Sequence, residues 1–142
     1  MQNAIDLARK LGVEDPVAAV LCAVETVNPK MPATIDDACL FKMADSGQIR
    51  GGRVEGPLAL DNAVDPDAAR HKGIRGELAG HADILVVPDI EAGNVLYKAL
   101  QWSAGAGEAG VVVGGAAPIV LTSRADSQEG KLHSLALGAL AS

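Results

Sequence analysis

The chain has 142 residues, the size of one ordinary domain, and 49% of them are apolar, yet Trp, Tyr and Phe occur once each. Its core must therefore be built from Ala, Val, Leu and Ile, which suits helices laid on a parallel sheet. The net charge of −6 is spread without a basic cluster, which argues against nucleic-acid binding and predicts a solvated acidic surface.

Apolar positions Ala4, Ile5, Leu7, Ala8 and Leu11 have a helical period across Asn3–Leu11, closed by Gly12. Val17–Val24 is an unbroken apolar run, the pattern of a strand buried on both faces. It is also the longest aliphatic run and too short to span a bilayer, so a soluble, cytoplasmic protein without a membrane partner is expected. Pro29 and Pro32 bar a helix over Glu25–Pro32. Thr34 is expected to cap the next helix, with Asp36 and Asp37 in its first turn and Gly47 beyond its end. Residues 47–56 are glycine-rich and read as mobile. Asp65-Pro66 opens a short polar helix ending near Gly73, Asp83–Val87 reads as a strand, and Asn94–Ser103 as a helix. Gly110–Gly114 and Ile119–Thr122 read as two more strands, and Gln128–Leu140 as a closing helix. Strands alternating with helices predict an α/β fold, a parallel or mixed sheet flanked by helices.

Gly105-Ala-Gly-Glu-Ala-Gly110 matches the letters of a dinucleotide fingerprint, but a helix precedes it and a strand follows. The cofactor needs the reverse order, so the segment reads as a connection. His71, His81 and His133 lack ligand spacing and read as surface residues; no metal site is expected. Cys22 and Cys39, without Cys-x-x-Cys spacing, read as buried free thiols of a reducing compartment. Arg70-His71-Lys72 with Arg75 reads as a solvated helix end. Three loops expected at the carboxyl ends of strands carry more chemistry. They hold Asn28 and Lys30; Asp89, Glu91 and Asn94; and Ser123-Arg124-Ala125-Asp126. Cations there suit phosphate, carboxylates suit proton transfer and a hydroxyl suits a developing charge. Asp126 and Glu129 also fit a capping box for the last helix.

Four blocks, Val27–Thr34, Gly56–Ala63, Ala82–Asn94 and Pro118–Ser127, stand in one order along nearly the whole chain and together resemble the phosphate acetyl/butyryltransferase family. The butyryl branch is the nearer likeness. The resemblance implies acyl transfer between coenzyme A and inorganic phosphate. It implies part of a two-lobed α/β fold similar to isocitrate and isopropylmalate dehydrogenases, no cofactor other than coenzyme A as substrate, and a homodimer. It gives Ser123 a hydrogen bond to the reacting group and Arg124 the phosphate, with Asp126 and Glu129 as candidates for proton transfer. Asn28, Lys30, Asp89, Glu91 and Asn94 are the remaining candidates for substrate binding. The acetyl branch's proposed thiol base lies seven residues after the serine, where this chain has Gly130.

Family enzymes are twice this length, and all four blocks belong to their carboxyl-terminal half. Residues 1–108 would form the second lobe and 109–142 would return to complete the first, with Met1 not the native beginning. A chain with little activity alone is expected. The alternative is a non-catalytic ligand-binding or dimerisation lobe of such an enzyme. A dehydrogenase of the same architecture is disfavoured by the inverted glycine pattern and the lack of an Asp-rich metal motif.

Overall fold

The computed structural model describes Met1–Ser142, which form two compact units, Met1–Ile90 and Glu91–Ser142. The first contains α1 (Gln2–Lys10), β1 (Val17–Leu21), α2 (Pro32–Asp45), β2 (Arg53–Leu58), α3 (Leu60–Val64), α4 (Pro66–His71) and β3 (Ile84–Val86). Its three strands form one parallel sheet in the order β2-β1-β3. Every residue of β1 is buried, as expected of a central strand covered on both faces. Ile5, Ala18, Val20, Ile49 and Val54 form the core, with Met1, Leu40, Ala44, Ile84 and Val86 packed against it. No aromatic ring takes part.

Three local readings are corrected here. Residues 47–56 are not simply a mobile loop, because they run into β2, an edge strand. Glycines obscure this strand in the sequence, but close approach demands them. A Cβ at Gly52 would lie 2.6 Å from the Pro16 carbonyl, and one at Gly56 would lie 2.5 Å from the Asp37 carboxyl. Thr34 does not cap α2, which already starts at Pro32, where a missing N–H costs nothing. Thr34 is instead buried within the first turn, where its hydroxyl accepts the Asn28 N–H at 2.9 Å. Cys39 is exposed and Cys22 half-buried, both free, so the expectation of buried thiols fails for Cys39. The short polar helix is seen as α4, with Asp65 accepting the Asp67 N–H as its cap.

The second unit contains α5 (Ile90–Ser103), apart from its first residue, and α6 (Gln128–Ala141). The two strands expected over 110–122 are absent as strands. Val112 and Ile119 form one isolated antiparallel bridge, with N–H···O bonds of 2.8 and 2.9 Å. Gly114, at φ 103°, Gly115 and Pro118 leave no regular ladder to extend. The buried positions of α6 are Gly130, Ser134 and Gly138, a stripe of small residues at four-residue spacing that admits close backbone packing. Ser134 Oγ accepts the Gly110 N–H at 3.0 Å, and Val120 occupies the room a side chain at 138 would need. Leu132, Leu135 and Leu140 are exposed. No helix is long and apolar enough to cross a membrane.

Candidate active site

In the first unit the chain leaves β1 for β2 and then crosses to β3 on the other side of β1. The carboxyl end of β1 is therefore a topological switch point, where open parallel sheets bind ligands. The loops after β1 and β3 issue from this edge, placing Asn28 and Lys30 on one and Asp89 on the other. Asn28 and Lys30 are brought together, since Asn28 Oδ1 accepts the Lys30 N–H at 2.9 Å. Thr34 pins the same turn from below, and the Lys30 side chain remains exposed.

A polar network braces the start of this loop. Glu25 Oε1 accepts from Asn62 Nδ2 at 2.6 Å and from Lys72 Nζ at 3.0 Å, and Lys72 also reaches Asp61 at 2.9 Å. The Lys72 ammonium holds the Glu25 and Asp61 carboxyls below their ordinary range and is itself held protonated by both. Of the basic run at 70–75, Lys72 is thus committed to the loop, while Arg70 pairs with Asp67. His71, His81 and His133 are exposed, as expected.

Asp37 lies fully buried on α2 with neither carboxyl oxygen hydrogen-bonded. Burial first, and Glu55 second, push it up to about 6. Burial, then Asp37 and Asp36, push the Cys22 thiol up, the reverse of what an activated nucleophile needs.

In the second unit Ser123 and Asp126 are brought together. The Ser123 N–H donates to Asp126 Oδ2 at 2.6 Å, the Asp126 N–H to the Ser123 carbonyl at 3.2 Å, and the Ala125 N–H to Ser123 Oγ at 3.4 Å. The turn thus pairs the Ser123, Ala125 and Asp126 N–H groups internally. The Arg124 guanidinium is exposed, and the Ser123 hydroxyl proton is not donated to any group of the turn. Nor does Asp126 cap α6. Ser127 does so, its Oγ accepting the Gly130 N–H at 2.9 Å. Glu129 is exposed with its carboxyl 3.9 Å from His133, so the expected capping box does not form. Glu91 and Asn94 are exposed in the first turns of α5. Ser123-Arg124 follows no regular strand, unlike the two loops of the first unit.

A cavity of about 370 Å³ opens in this unit, walled by Trp102, Glu108, Ala125, Ser127, Glu129 and His133 among others. The glycines at 105–110 follow α5 and start no helix, so they form a connection as expected. The Tyr97 hydroxyl donates to Glu108 Oε2 at 2.7 Å, and this bond, ahead of burial, pushes Tyr97 up to about 12. Sequence reasoning missed Asp37, Asn62 and Glu108. Asn62 stands inside one of the four blocks, but nothing in its neighbourhood marked it as a brace for a distant loop.

The family model for phosphate acetyl/butaryl transferase matches residues 1–139. The chain belongs to this family. The phosphate butyryltransferase of Clostridium acetobutylicum is 54% identical over 140 residues, covering 99% of this chain and 46% of that protein. The probable phosphate butyryltransferase of Bacillus subtilis is 58% identical over 142 residues, covering 100% and 48%. The phosphate acetyltransferase of Rhizobium meliloti is 58% identical over 140 residues, covering 99% and 44%. The chain spans about half the length of these relatives. Among solved structures, a branched-chain phosphotransacylase from Enterococcus faecalis V583 superposes with a TM-score of 0.88 at 42% identity, covering 99% of this chain and 51% of that one. The phosphate acetyl/butyryltransferase family thus carries both names among proteins of similar identity to this chain, and the identities alone favour neither acyl group.

Proposed function

We propose that this chain is the carboxyl-terminal half of a phosphate acyltransferase that moves an acyl group reversibly between coenzyme A and inorganic phosphate. The observation that carries the reading is the family match over residues 1–139, with Ser123-Arg124 presented on an exposed, internally braced turn. In acyl-CoA consumption, a phosphate oxygen attacks the thioester carbonyl, the C–S bond breaks and the thiol recovers a proton. The Arg124 guanidinium suits the phosphate because its planar fork matches two phosphate oxygens. The Ser123 hydroxyl, with its proton uncommitted, suits the oxyanion that develops at the carbonyl. Lys30, with Asn28, offers a cation at the sheet edge for coenzyme A phosphates, and Asp89, Glu91 and Asn94 offer further polar contacts to substrate. Asp126 shapes the turn, and Glu129 is the exposed carboxylate beside it.

In this reading no metal or redox cofactor takes part, and the working enzyme is a cytoplasmic homodimer. Residues 1–108 serve the second lobe of a two-lobed dehydrogenase-like architecture, and 109–142 complete the first. The test is coenzyme A release from butyryl-CoA with phosphate. Feeble release by the isolated chain is expected. Robust release by it alone would refute the assignment to one half of an enzyme.

A further inference from the structure

The acyl-transfer reading requires a group that takes the proton of the coenzyme A thiol when the thiol attacks an acyl phosphate, and returns it in the reverse direction. The carboxylates of the second unit differ sharply in their fitness for this. Asp126 Oδ2 is committed to the Ser123 N–H and its Oδ1 is buried. Glu129 is largely exposed and faces His133, and Glu91 is exposed on α5. Glu108 is different. One of its oxygens, Oε2, accepts the Tyr97 hydroxyl at 2.7 Å. The other, Oε1, lies over Gly130 at the start of α6, only 2.7 Å from where a Cβ at 130 would stand. Glu108 also lines the 370 Å³ cavity together with Ala125 and Ser127, which flank Asp126 just beyond Ser123-Arg124. Gly130 therefore makes room for a carboxylate that reaches in from the α5–α6 connection, and Tyr97 fixes its rotamer.

Resting on that reading, we infer that Glu108 is the proton acceptor for the coenzyme A thiol, that Tyr97 is its positioning residue, and that the cavity receives the thiol-bearing end of the substrate. In the step, Glu108 Oε1 takes the thiol proton as the sulfur's electron pair forms the C–S bond. The C–O bond to phosphate breaks and inorganic phosphate leaves. In reverse, the protonated carboxyl returns its proton to the departing thiolate. A carboxylate held at one oxygen by a phenol and open at the other has the geometry of an oriented base.

The experiment follows thiol consumption from coenzyme A and butyryl phosphate across pH 6–10. It uses the chain alone at high concentration and the chain mixed with the amino-terminal half of the Bacillus subtilis relative. Glu108→Gln is expected to slow the reaction about 100-fold at pH 7. The deficit should shrink towards pH 9.5, where a thiol of ordinary pKa near 8.5 ionises unaided. In parallel, absorbance titration of the single tyrosine reports folding and geometry, and its midpoint should fall from about 12 in the parent towards about 10 in the variant. A deficit of equal size at every pH, a wild-type rate at pH 7, or an unmoved tyrosine midpoint overturns the assignment to Glu108. Arg124→Ala without loss of phosphate affinity, beside a pH-rescued Glu108→Gln, overturns the phosphate site and leaves Glu108 standing. Thiol left unconsumed by the chain in a mixture whose two halves have demonstrably associated overturns the acyl-transfer reading and the base with it.

Discussion

Replacing Asp37 by Asn tests the most costly group in the first unit. The carboxyl is fully buried, neither oxygen is hydrogen-bonded, and the side chain abuts Gly56 with Glu55 nearby. Its pKa rises from 3.8 to about 6, so the native state favours the protonated form. The sign follows directly. Stability from this group is fully present below 3.8, declines as pH rises between 3.8 and 6, and has reached its full loss above 6. A shift of this size multiplied by 1.36 kcal/mol per unit gives about 3 kcal/mol. Asn is nearly isosteric with the protonated acid and does not titrate. The assay is urea unfolding of both proteins between pH 4 and pH 8, taking the difference in stability at each pH so that shared titrations cancel. The variant should match the parent within about 1 kcal/mol at pH 4 and exceed it by up to about 3 kcal/mol at pH 8. A difference that stays flat with pH, or a variant less stable than the parent at pH 8, would show that a partner compensates the carboxylate in solution and would refute the reasoning.

Other substitutions probe separate links. Arg124→Ala should raise the phosphate KM of the active assembly at least tenfold with a smaller change in the KM for butyryl-CoA, and an unchanged phosphate KM removes Arg124 from the phosphate site. Ser123→Ala should lower kcat about 100-fold if its hydroxyl stabilises the oxyanion; a change confined to KM assigns it to ground-state binding instead. Gly138→Val should destabilise the chain by about 1–3 kcal/mol in urea unfolding because Val120 fills the space, whereas Leu135→Val on the exposed side of α6 should be near neutral in the same measurement.

The sequence was most legible where one physical signal acted alone. The apolar run at Val17 announced a buried central strand, and Asp65-Pro66 announced a helix start. The last helix was found within a residue of its observed end. Legibility failed where tertiary contacts set the local choice. Gly52 and Gly56 look like loop residues, yet they are glycine because Pro16 presses against the entry to β2 and Asp37 against the strand itself. Thr34 has a cap's chemistry but spends its hydroxyl on the Asn28 turn, and Ser127 takes the cap that Asp126 was expected to provide. Among the candidate residues, Ser123, Arg124, Asn28 and Lys30 were visible because serine, arginine, asparagine and lysine in loops carry evident chemistry. Glu108 was not, because its significance lies in its distance to Tyr97 and Gly130, and only the fold brings those three together.

The central claim is acyl transfer to phosphate, and coenzyme A release from butyryl-CoA measures it most directly. The chain mixed with the amino-terminal half of the Bacillus subtilis relative is predicted to release coenzyme A only when phosphate is present and to form butyryl phosphate in equal amount. The Ser123→Ala chain in the same mixture should release it far more slowly. Release of the same size without phosphate, or none from halves that have demonstrably associated, would contradict the account.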